Sequence, residues 1–261
     1  MVNQKGGVGK TASTINLGGA LAARGHRVLL VDLDPQGHLS DALKLLDTAT
    51  EGAALADVLL GKLDPARFGE LPVTHSEADN GGILDVIPTT DEMFLVGPGM
   101  YQLKAREMRL KRFLAELADR YDYILIDCPP SLDVLTDNAL TAADGVLIPV
   151  QLEDSTIRAL RLLFAQIESV EADLRTDPLV IHGMVASMVD RGSGGLPRSN
   201  IGRSVLKALE GLGIPILATV PRGVSITEAW REGDTVATYA PDSEHATAYV
   251  EMAKVLEKGR S

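Results

Sequence analysis

Short apolar runs separated by polar segments recur along the whole of this 261-residue chain. Six of these runs are rich in Val, Ile and Leu and stay apolar at successive positions. That pattern is typical of parallel strands covered on both faces of a sheet. It predicts buried strands over residues 27–32, 83–88, 121–127, 145–150, 179–187 and 214–220.

Between these runs, apolar residues recur every three or four positions, which is the period of an amphipathic helix. This period predicts helices over residues 11–24, 101–119, 155–172, 200–211 and 244–258. Strands that alternate with helices favour right-handed crossovers, so the predicted fold class is α/β, a doubly wound, mostly parallel sheet with helices on both faces. Residues 47–82 and 189–199 are the least regular stretches, and no linker or repeat divides residues 1–261, which predicts a single domain.

Composition narrows the classes of protein to which this chain can belong. Hydrophobic residues make up 45% of it and charged residues 23%, which is ordinary for a globular domain. The single cysteine, Cys128, excludes an intrachain disulfide and fits a reducing cytoplasm. No apolar run is long enough to cross a membrane, and no signal peptide is apparent. The formal net charge of −11 argues against a globally basic nucleic-acid binder, although a local patch can still bind phosphates.

The glycine-rich segment NQKGGVGKTAS, residues 3–13, directly precedes the first predicted helix. Gly9, Lys10 and Thr11 form the second half of the phosphate-loop pattern G-x-x-x-x-G-K-[ST], although Gln4 stands where the first glycine is usual. In such a loop backbone N–H groups face the phosphates, the lysine neutralises them and the hydroxyl ligates Mg²⁺. The alternative is a glycine-rich helix start with incidental lysines.

Three aspartates follow predicted strands. Asp32 and Asp34 end the run VDLDPQG, and Asp127 ends the run YILIDCPPS. Ligands of open α/β sheets bind at the carboxyl ends of the strands, where a carboxylate can hold a water of the Mg²⁺ shell. A helix cap is the plain alternative for each aspartate alone, but three in this order favour a nucleotide site.

These segments together resemble a known family. KGGVGKT, LLVDLDPQG and YDYILIDCPPSLDVLTDNAL are similar to the deviant Walker A ATPases of the ParA/MinD superfamily, and most similar to ParA proteins of the Soj type. LDVIPTTDEM, REMRLKRFL, LIPVQLE and TVPRGVSITEA extend the resemblance over nearly the whole chain. The resemblance implies a P-loop NTPase fold, the cofactors ATP and Mg²⁺, weak basal ATP hydrolysis, and a role in chromosome or plasmid partition.

The resemblance also implies residue roles and an ATP-bound homodimer. Lys5 is the signature lysine, which reaches the partner's nucleotide in trans as an arginine finger does, and Lys10 binds phosphate in cis. Asp34 positions the attacking water. The implied metal-site residues are Thr11, Asp34 and Asp127; the implied nucleotide-binding residues are Lys5, Gly6, Gly7, Val8, Gly9, Lys10, Thr11 and Ala12, with Met188, Pro221 and Arg222 around the base.

Gly6 is expected at the dimer face, where only a hydrogen side chain allows close approach. The chain departs from the family pattern at other positions. Ala12 stands where a hydroxyl often contacts the α-phosphate, and Ser225 replaces an arginine of the relatives' DNA-binding surface. From Glu153 the chain reads EDSTIRAL where EYYALEGL is common. The last two changes bear on partners rather than on ATP chemistry.

Relatives bind DNA without sequence preference through salt-dependent phosphate contacts. The best candidate patch here is the segment 191–207, which contains no acid. Arg203 and Lys207 are four residues apart and share a helix face, and Arg222 is expected nearby. The predicted DNA-binding residues are Arg191, Arg198, Arg203, Lys207 and Arg222. A solvated helix face is the alternative.

The family implies a ParB-like, centromere-bound partner with a basic tail, and a cytoplasmic, nucleoid-associated location.

A MinD-like membrane ATPase is a rival, but the stripe of Tyr249, Met252, Val255 and Leu256 near the C-terminus is expected to pack on the core, so we predict no membrane partner. A positioning ATPase for another cargo and a non-catalytic nucleotide-dependent module remain open. A two-cysteine electron carrier is excluded because only Cys128 is present.

Only Met1 and Val2 precede the loop, where relatives carry a central apolar strand. We therefore expect the first strand to be truncated in this chain and its native start to lie upstream of Met1. The loss of a central strand is expected to lower the stability of the domain.

Overall fold

A computed structural model describes residues 1–46, 48, 54–192 and 196–259 of the chain. The described residues form seven strands, β1 (Arg27–Asp32), β2 (Val73–Glu77), β3 (Ile83–Ile87), β4 (Tyr123–Asp127), β5 (Gly145–Val150), β6 (Val180–Val189) and β7 (Ile216–Pro221). Their α-helices are α1 (Lys10–Ala22), α2 (His38–Ala42), α3 (Leu55–Leu60), α4 (Val96–Met100), α5 (Arg109–Ala115), α6 (Val134–Ala142), α7 (Ser155–Leu174), α8 (Asn200–Glu210), α9 (Ser225–Glu232), α10 (Val236–Tyr239) and α11 (Glu244–Lys258).

The strands pair mostly in parallel, as the apolar runs predict. One sheet has the order β2-β3-β1-β4 and the other the order β5-β6-β7. Their named ladders are parallel except for that between β2 and β3. Helices follow the parallel strands along the chain, so the doubly wound α/β fold class is confirmed.

The two sheets are connected through the first residues of the chain. The amino group of Met1 donates to the Ile126 carbonyl oxygen at 2.6 Å, and the Met1 carbonyl accepts from the Cys128 N–H at 3.3 Å. The Val2 N–H donates to the Leu147 carbonyl oxygen at 3.2 Å. Residues 1–3 have no strand assignment, yet they bond to both β4 and β5 and place the phosphate loop between the two sheets.

The central strand β1 is covered on both faces. Leu29 and Val31 belong to one buried apolar cluster, which includes Phe113 of α5. Val28 and Leu30 belong to the other, which includes α1 and α11. Because side chains alternate along a strand, a strand with helices on both faces must be apolar at successive positions. This burial explains why β1 reads as a continuous apolar run.

One predicted helix is largely wrong. Residues 101–119 were predicted to be helical throughout, but only α5 is an α-helix there, flanked by the 3₁₀ turns Arg106–Met108 and Ala118–Arg120. Ala105 has φ of +49°, a left-handed conformation that a continuous right-handed helix does not contain. The other predicted helices agree with α1, α7, α8 and α11 to within a few residues at each end.

Several elements lie outside the predicted ones. The stretch 47–82, predicted to be irregular, contains α3 and β2; residues 47 and 49–53 of it lie outside the described part of the chain. β2 is an edge strand with a mixed burial pattern, so it lacks a continuous apolar run. The helix α6 is also additional, and the side chain of Asp133 caps it by accepting from the N–H groups of Leu135 and Thr136.

The helix α11 packs on the sheet as its apolar stripe predicts. Tyr249 and Met252 are 1% and 0% exposed, and Leu256 packs against the same cluster. Val255 is 46% exposed, so this member of the stripe faces solvent instead. Among the helices described in the structure, none is long and apolar enough to cross a membrane.

Candidate nucleotide-binding site

The phosphate loop lies between residues 1–3 and the first turn of α1. Gly7 and Gly9 have φ of +72° and +86°, values that disfavour a side chain, so the motif requires glycine at both positions. Gly9 is the N-cap of α1 and supplies no side-chain cap. The first N–H groups of this helix are therefore available to an anion, and its positive dipole end favours one.

Lys10 is nearly buried within this loop. It is 7% exposed, and its Nζ lies 3.5 Å from the carbonyl oxygen of Lys5. Burial lowers the pKa of Lys10, while the carboxylate of Asp127 raises it in opposition. An ammonium group that is poor in partners and enclosed by the loop fits the role of phosphate ligand.

The predicted acidic residues meet at one edge of the sheet. The β1–β4 register pairs Asp32 directly with Asp127, so the two strand ends bring these carboxylates side by side. The hydroxyl of Thr11 donates to Asp127 Oδ2 at 2.7 Å, and that of Thr14 to Asp127 Oδ1 at 3.3 Å. The strand-end aspartates and the hydroxyl of the loop therefore form one site, as the motifs predict.

The negative charge of this site is poorly compensated. Burial, followed by the charge of Asp127, raises the pKa of Asp32 to about 7. Burial also raises the pKa of Asp127 to about 6, against the opposing hydrogen bond from Thr11. One oxygen of Asp32, Oδ1, is buried without a hydrogen-bond partner, although Ser40 donates to the other oxygen. Uncompensated buried carboxylates fit a bound cation, which would favour their charged forms.

The side-chain oxygens at this site fit a Mg²⁺ ion that is bound together with a nucleotide. The residues that the structure describes contain no group of three or more His, Cys, Asp or Glu side chains able to hold a metal. Mg²⁺ in nucleotide sites is held by one or two protein oxygens together with phosphates and waters. The Thr11 hydroxyl and the Asp127 carboxylate meet that smaller requirement, so the ion belongs with the nucleotide.

Asp34 lies just beyond the end of β1. It is 6% exposed, and its Oδ1 accepts from the Gln36 N–H at 3.0 Å. Its carbonyl oxygen accepts from the N–H of Gly37, whose φ of +66° closes the turn into α2. This tight turn fixes the backbone of Asp34 beside the phosphate loop.

The signature lysine has partners on its own protomer. Lys5 Nζ forms an ion pair with Glu153 and donates to Gln151 Oε1 at 3.4 Å. The Lys5 N–H donates to the Asn3 side chain, which itself donates to the Pro149 carbonyl oxygen. Sequence reasoning gave Gln151 and Glu153 no role, because both contacts connect residues almost 150 positions apart.

Gly6 lies at the exposed tip of the loop. A Cβ atom built on it would come no closer than 4.0 Å to its nearest neighbour, Pro130. Among the described residues, none comes close enough to require glycine at this position, and its predicted place at a dimer face stays a prediction.

A cavity of about 250 Å³ lies beside the phosphate loop. It contains all three residues predicted to surround the base, Met188, Pro221 and Arg222, together with Gly9 and Ala12 of the loop. Its lining also includes Ile226, Thr227, Trp230 and Tyr249, for which the sequence predicted no contact with the base. Its aromatic and aliphatic lining fits a flat heterocyclic base. Val8 is buried beneath the loop, 1% exposed, and belongs to its support.

The predicted DNA-binding residues are all exposed, but they differ in their partners. Arg191 pairs with Glu244 at 3.0 Å, and Arg222 lies 3.4 Å from Asp190. Arg191 and Arg222 also line one open cavity of about 490 Å³ with Ser225. These two guanidinium groups therefore have acidic neighbours that the sequence segment alone does not contain.

The α8 end of this patch is less neutralised. Arg203 and Lys207 lie on α8 as predicted, but the Arg203 guanidinium donates to the carbonyl oxygens of Pro197 and Arg198, at 2.8 and 3.1 Å. The Arg203 side chain thus stabilises the loop before α8. Arg198 and Lys207 stay exposed on either side of it, and residues 193–195 of the patch lie outside the described chain.

The chain resembles known proteins over nearly its full length. The family described as AAA domain matches residues 1–179. The sporulation initiation inhibitor protein Soj of Bacillus subtilis is 39% identical over 97% of this chain and 95% of its own length. The chromosome partitioning protein ParA of Caulobacter vibrioides is 40% identical over 97% of this chain and 91% of its own.

Solved structures share the fold of this chain. Cobyrinic acid a,c-diamide synthase from Mycobacterium smegmatis, with a bound ATP analogue and magnesium, has a TM-score of 0.79 at 33% identity. The match covers 100% of this chain and 94% of that one. With the glycine turns of the loop and the paired strand-end aspartates, these similarities establish that the chain belongs to the AAA domain family and, within it, to the partition ATPases of the ParA/Soj type.

Proposed function

We propose that this protein hydrolyses ATP to drive partition of a chromosome or plasmid, and that it does so as an ATP-bound homodimer on DNA. The observation that carries the proposal is the phosphate loop with two lysines in different settings. Lys10 is enclosed by the loop, whereas the Lys5 ammonium lies at its outer side and bonds to Gln151 and Glu153 of the segment after β5. This placement suits Lys10 to bind the phosphates of its own protomer's ATP and Lys5 to bind those of the partner's ATP.

The residues of the site divide the work of hydrolysis. The uncapped N–H groups of α1 and the Lys10 ammonium bind the phosphates, and the Thr11 hydroxyl and Asp127 hold the ion that accompanies them. Mg²⁺, when bound with ATP, neutralises charge on the phosphate oxygens. Asp34 accepts a hydrogen bond from the attacking water, and Lys5 of the second protomer stabilises the charge that develops on the transferred phosphoryl group.

The dimer is tested with an Asp34→Ala variant. This change removes the group that orients water and leaves the phosphate loop intact, so ATP is expected to bind and persist. We expect size-exclusion chromatography to give a monomer without ATP and a dimer with ATP and Mg²⁺. Asp64→Ala is the matched control, because Asp64 caps an exposed 3₁₀ turn and is expected to leave hydrolysis unchanged. A monomer with ATP in both variants would contradict the proposal.

Non-specific DNA binding is proposed for the α8 end of the basic patch. Arg198 precedes α8 and Lys207 lies on it; both are exposed, and the N-terminal half of the helix carries no acid. The net charge of −11 does not oppose this, because a Debye length of about 8–10 Å lets a local patch dominate. Dimerisation doubles the patch, which favours binding that depends on ATP.

The double variant Arg198→Glu/Lys207→Glu tests this patch. DNA retention is expected to fall at least tenfold, and the salt dependence to become shallower, because phosphate contacts set that slope. Filter binding across a salt series measures both. Lys62→Glu, an exposed lysine after α3, is the control. Arg203→Glu is a poorer test because it also breaks the loop contacts of Arg203. Retention equal to that of the control would exclude this surface.

A ParB-like, centromere-bound partner with a basic tail is proposed to stimulate hydrolysis, and DNA binding implies association with the nucleoid. Support comes from the acidic surface, with 36 acidic against 25 basic residues. Opposite charges speed encounter and fix orientation more than they add affinity. The ATP-bound dimer and the basic tail together give a cycle in which ATP loads the protein on DNA and the partner removes it.

A further inference from the structure

Gln151 directly follows β5 and holds a fixed position at the edge of the site. Its backbone carbonyl accepts from the Glu153 N–H at 3.0 Å and from the Thr156 hydroxyl at 2.5 Å. Glu153 belongs to the turn that leads into α7, and Thr156 to the first turn of that helix. The half-buried side chain therefore reaches the phosphate loop from a rigid base.

The carboxamide of Gln151 contacts three parts of the nucleotide site. Its Nε2 donates to the Gly7 carbonyl oxygen at 2.9 Å and to Met188 Sδ at 3.2 Å. Its Oε1 accepts from Lys5 Nζ at 3.4 Å. A flipped amide would turn its oxygen toward the Gly7 carbonyl and its NH₂ toward the Lys5 ammonium, so these neighbours determine its orientation. One side chain thus connects the phosphate loop, the base cavity and the signature lysine.

Met188 lines the cavity with a flexible side chain on strained backbone. Its φ of +54° is left-handed, and the β6–β7 register shifts between Ala186 and Val189, on either side of it. Strained backbone of this kind is held by its surroundings and clusters at ligand sites. The thioether is flexible and accepts hydrogen bonds weakly. A base that enters the cavity is therefore expected to move the sulfur atom before it moves the sheet.

Lys5 is held by two groups of its own protomer, Gln151 and Glu153. A ligand promotes the release of Lys5 only if it interacts more favourably with the released arrangement than with the held one. Displacement of Met188 Sδ meets this condition, because the carboxamide loses one of the two acceptors that fix its orientation. The hydrogen bond from Lys5 to Oε1 is then weaker, because one of the two hydrogen bonds of Nε2 that anchor the carboxamide is lost.

We propose that Gln151 is a positioning residue that makes the release of Lys5 depend on a base in the cavity beside Met188. This inference rests on the proposed function, since release matters only if Lys5 acts in trans. The proposal distinguishes two classes of ligand. A nucleoside triphosphate fills both the loop and the cavity and is expected to release Lys5, whereas inorganic tripolyphosphate fills the loop alone and is not. Because coupling is reciprocal, dimerisation also tightens the binding of the base.

Sedimentation equilibrium with Mg²⁺ tests the coupling. The dimer dissociation constant is measured with saturating adenylyl imidodiphosphate and with saturating tripolyphosphate, with saturation established by competition against a fluorescent ATP analogue. For the wild-type protein we expect tighter dimers with the nucleotide, by about 5- to 150-fold, the usual range of coupling between two sites. Met188→Leu keeps the apolar wall and removes the sulfur acceptor, and Gln151→Leu removes the carboxamide. Both are expected to bring the ratio close to one.

Glu153→Gln is the control at the same lysine. It replaces the Lys5–Glu153 ion pair by a neutral contact, which weakens the hold on Lys5 regardless of the ligand. Dimers are therefore expected to tighten equally with both ligands, and the ratio of the two dissociation constants is expected to stay at the wild-type value. A wild-type ratio of one, or a wild-type ratio in Met188→Leu and Gln151→Leu with unchanged melting temperatures, would overturn the inference and leave the proposed function standing. Absence of a wild-type dimer with the nucleotide would overturn both.

Discussion

At the residue scale, the nucleotide site places like charges together. Asp32 and Asp127 are paired across the β1–β4 ladder, both fully buried, and burial raises the pKa of each. Keeping buried carboxylates charged without a cation is unfavourable, so these two carboxylates lower the free energy of unfolding of the nucleotide-free protein. Nucleotide and Mg²⁺ reverse this penalty, which makes ligand binding and folding stability strongly linked.

Asp32→Asn is expected to stabilise the nucleotide-free protein. The folded pKa of Asp32, about 7, lies above its ordinary value of 3.8, so the folded state binds a proton that the unfolded state releases between these values. The wild-type free energy of unfolding therefore falls as the pH rises through this window, by up to a few kcal/mol at about 1.4 kcal/mol per pKa unit. Asn lacks this proton and still accepts from the Ser40 N–H.

Urea unfolding in EDTA at pH 5 and pH 8 measures the difference. The advantage of Asp32→Asn is expected to be small at pH 5 and larger at pH 8, while nucleotide binding weakens. An Asn variant that is less stable than the wild type at pH 8 would contradict this account of the site.

At the element scale, α1 must lie close to its neighbours to bring the phosphate loop to the strand ends. Gly18 and Gly19, in the middle of this helix, are fully buried. A Cβ on Gly18 would lie 2.6 Å from Leu30 Cδ2 of β1, and one on Gly19 2.5 Å from Thr235 Oγ1. Glycine normally weakens a helix interior, so its presence here is explained by close packing rather than by helix propensity.

Gly19→Ala is expected to destabilise the protein although alanine favours helices. Overpacking against the side chain of Thr235 is expected to lower the free energy of unfolding by about 1–3 kcal/mol. Chemical denaturation measures it. Gly97→Ala in α4 is the comparison, because a Cβ there would meet no atom within 4 Å apart from its chain neighbours and its own helix, and it is expected to destabilise the protein less than Gly19→Ala does. Equal effects of the two substitutions would show that packing on α1 is not tight.

At the scale of the whole molecule, the net charge and the local binding sites act over different distances. The net charge of −11 sets a negative field over the surface, whereas the phosphate loop and the α8 end of the basic patch act within a few ångströms. An acidic exterior attracts a basic tail from a distance and keeps the protein apart from DNA except where its basic patch is presented. The two proposed partners therefore approach through different parts of the surface.

Stimulation of ATP hydrolysis by a basic peptide is the prediction at this scale. Raising the salt concentration from about 0.01 M to about 0.15 M shortens the Debye length from about 30 Å to about 8 Å, so stimulation at a fixed peptide concentration is expected to fall several-fold. Steady-state ATPase assays measure it. A peptide with its lysines replaced by glutamine is the control and is expected not to stimulate. Stimulation that is insensitive to salt would contradict electrostatic attraction.

Much of the fold and the centre of the site could be predicted from local sequence. The continuous apolar runs identified the buried parallel strands, and the Gly9-Lys10-Thr11 segment with Asp32, Asp34 and Asp127 identified the phosphate site. β2 escaped prediction because an edge strand is half solvated, and the helix predicted over 101–119 is interrupted at Ala105. Arg203 is predicted to face DNA, and its guanidinium also holds the loop before α8, a contact that spacing does not reveal.

The sequence by itself determined those features that depend on neighbours in the chain: strand burial, the glycine turns of the loop, and the order of the acidic strand ends. Only the tertiary structure decided which distant groups meet. It paired Asp32 with Asp127, brought Gln151 and Glu153 to Lys5, and placed Trp230 and Tyr249 in the wall of the cavity beside the phosphate loop. The physical reason is that sheet register and helix packing set the distances between residues far apart in sequence, and the local sequence pattern does not predict those distances.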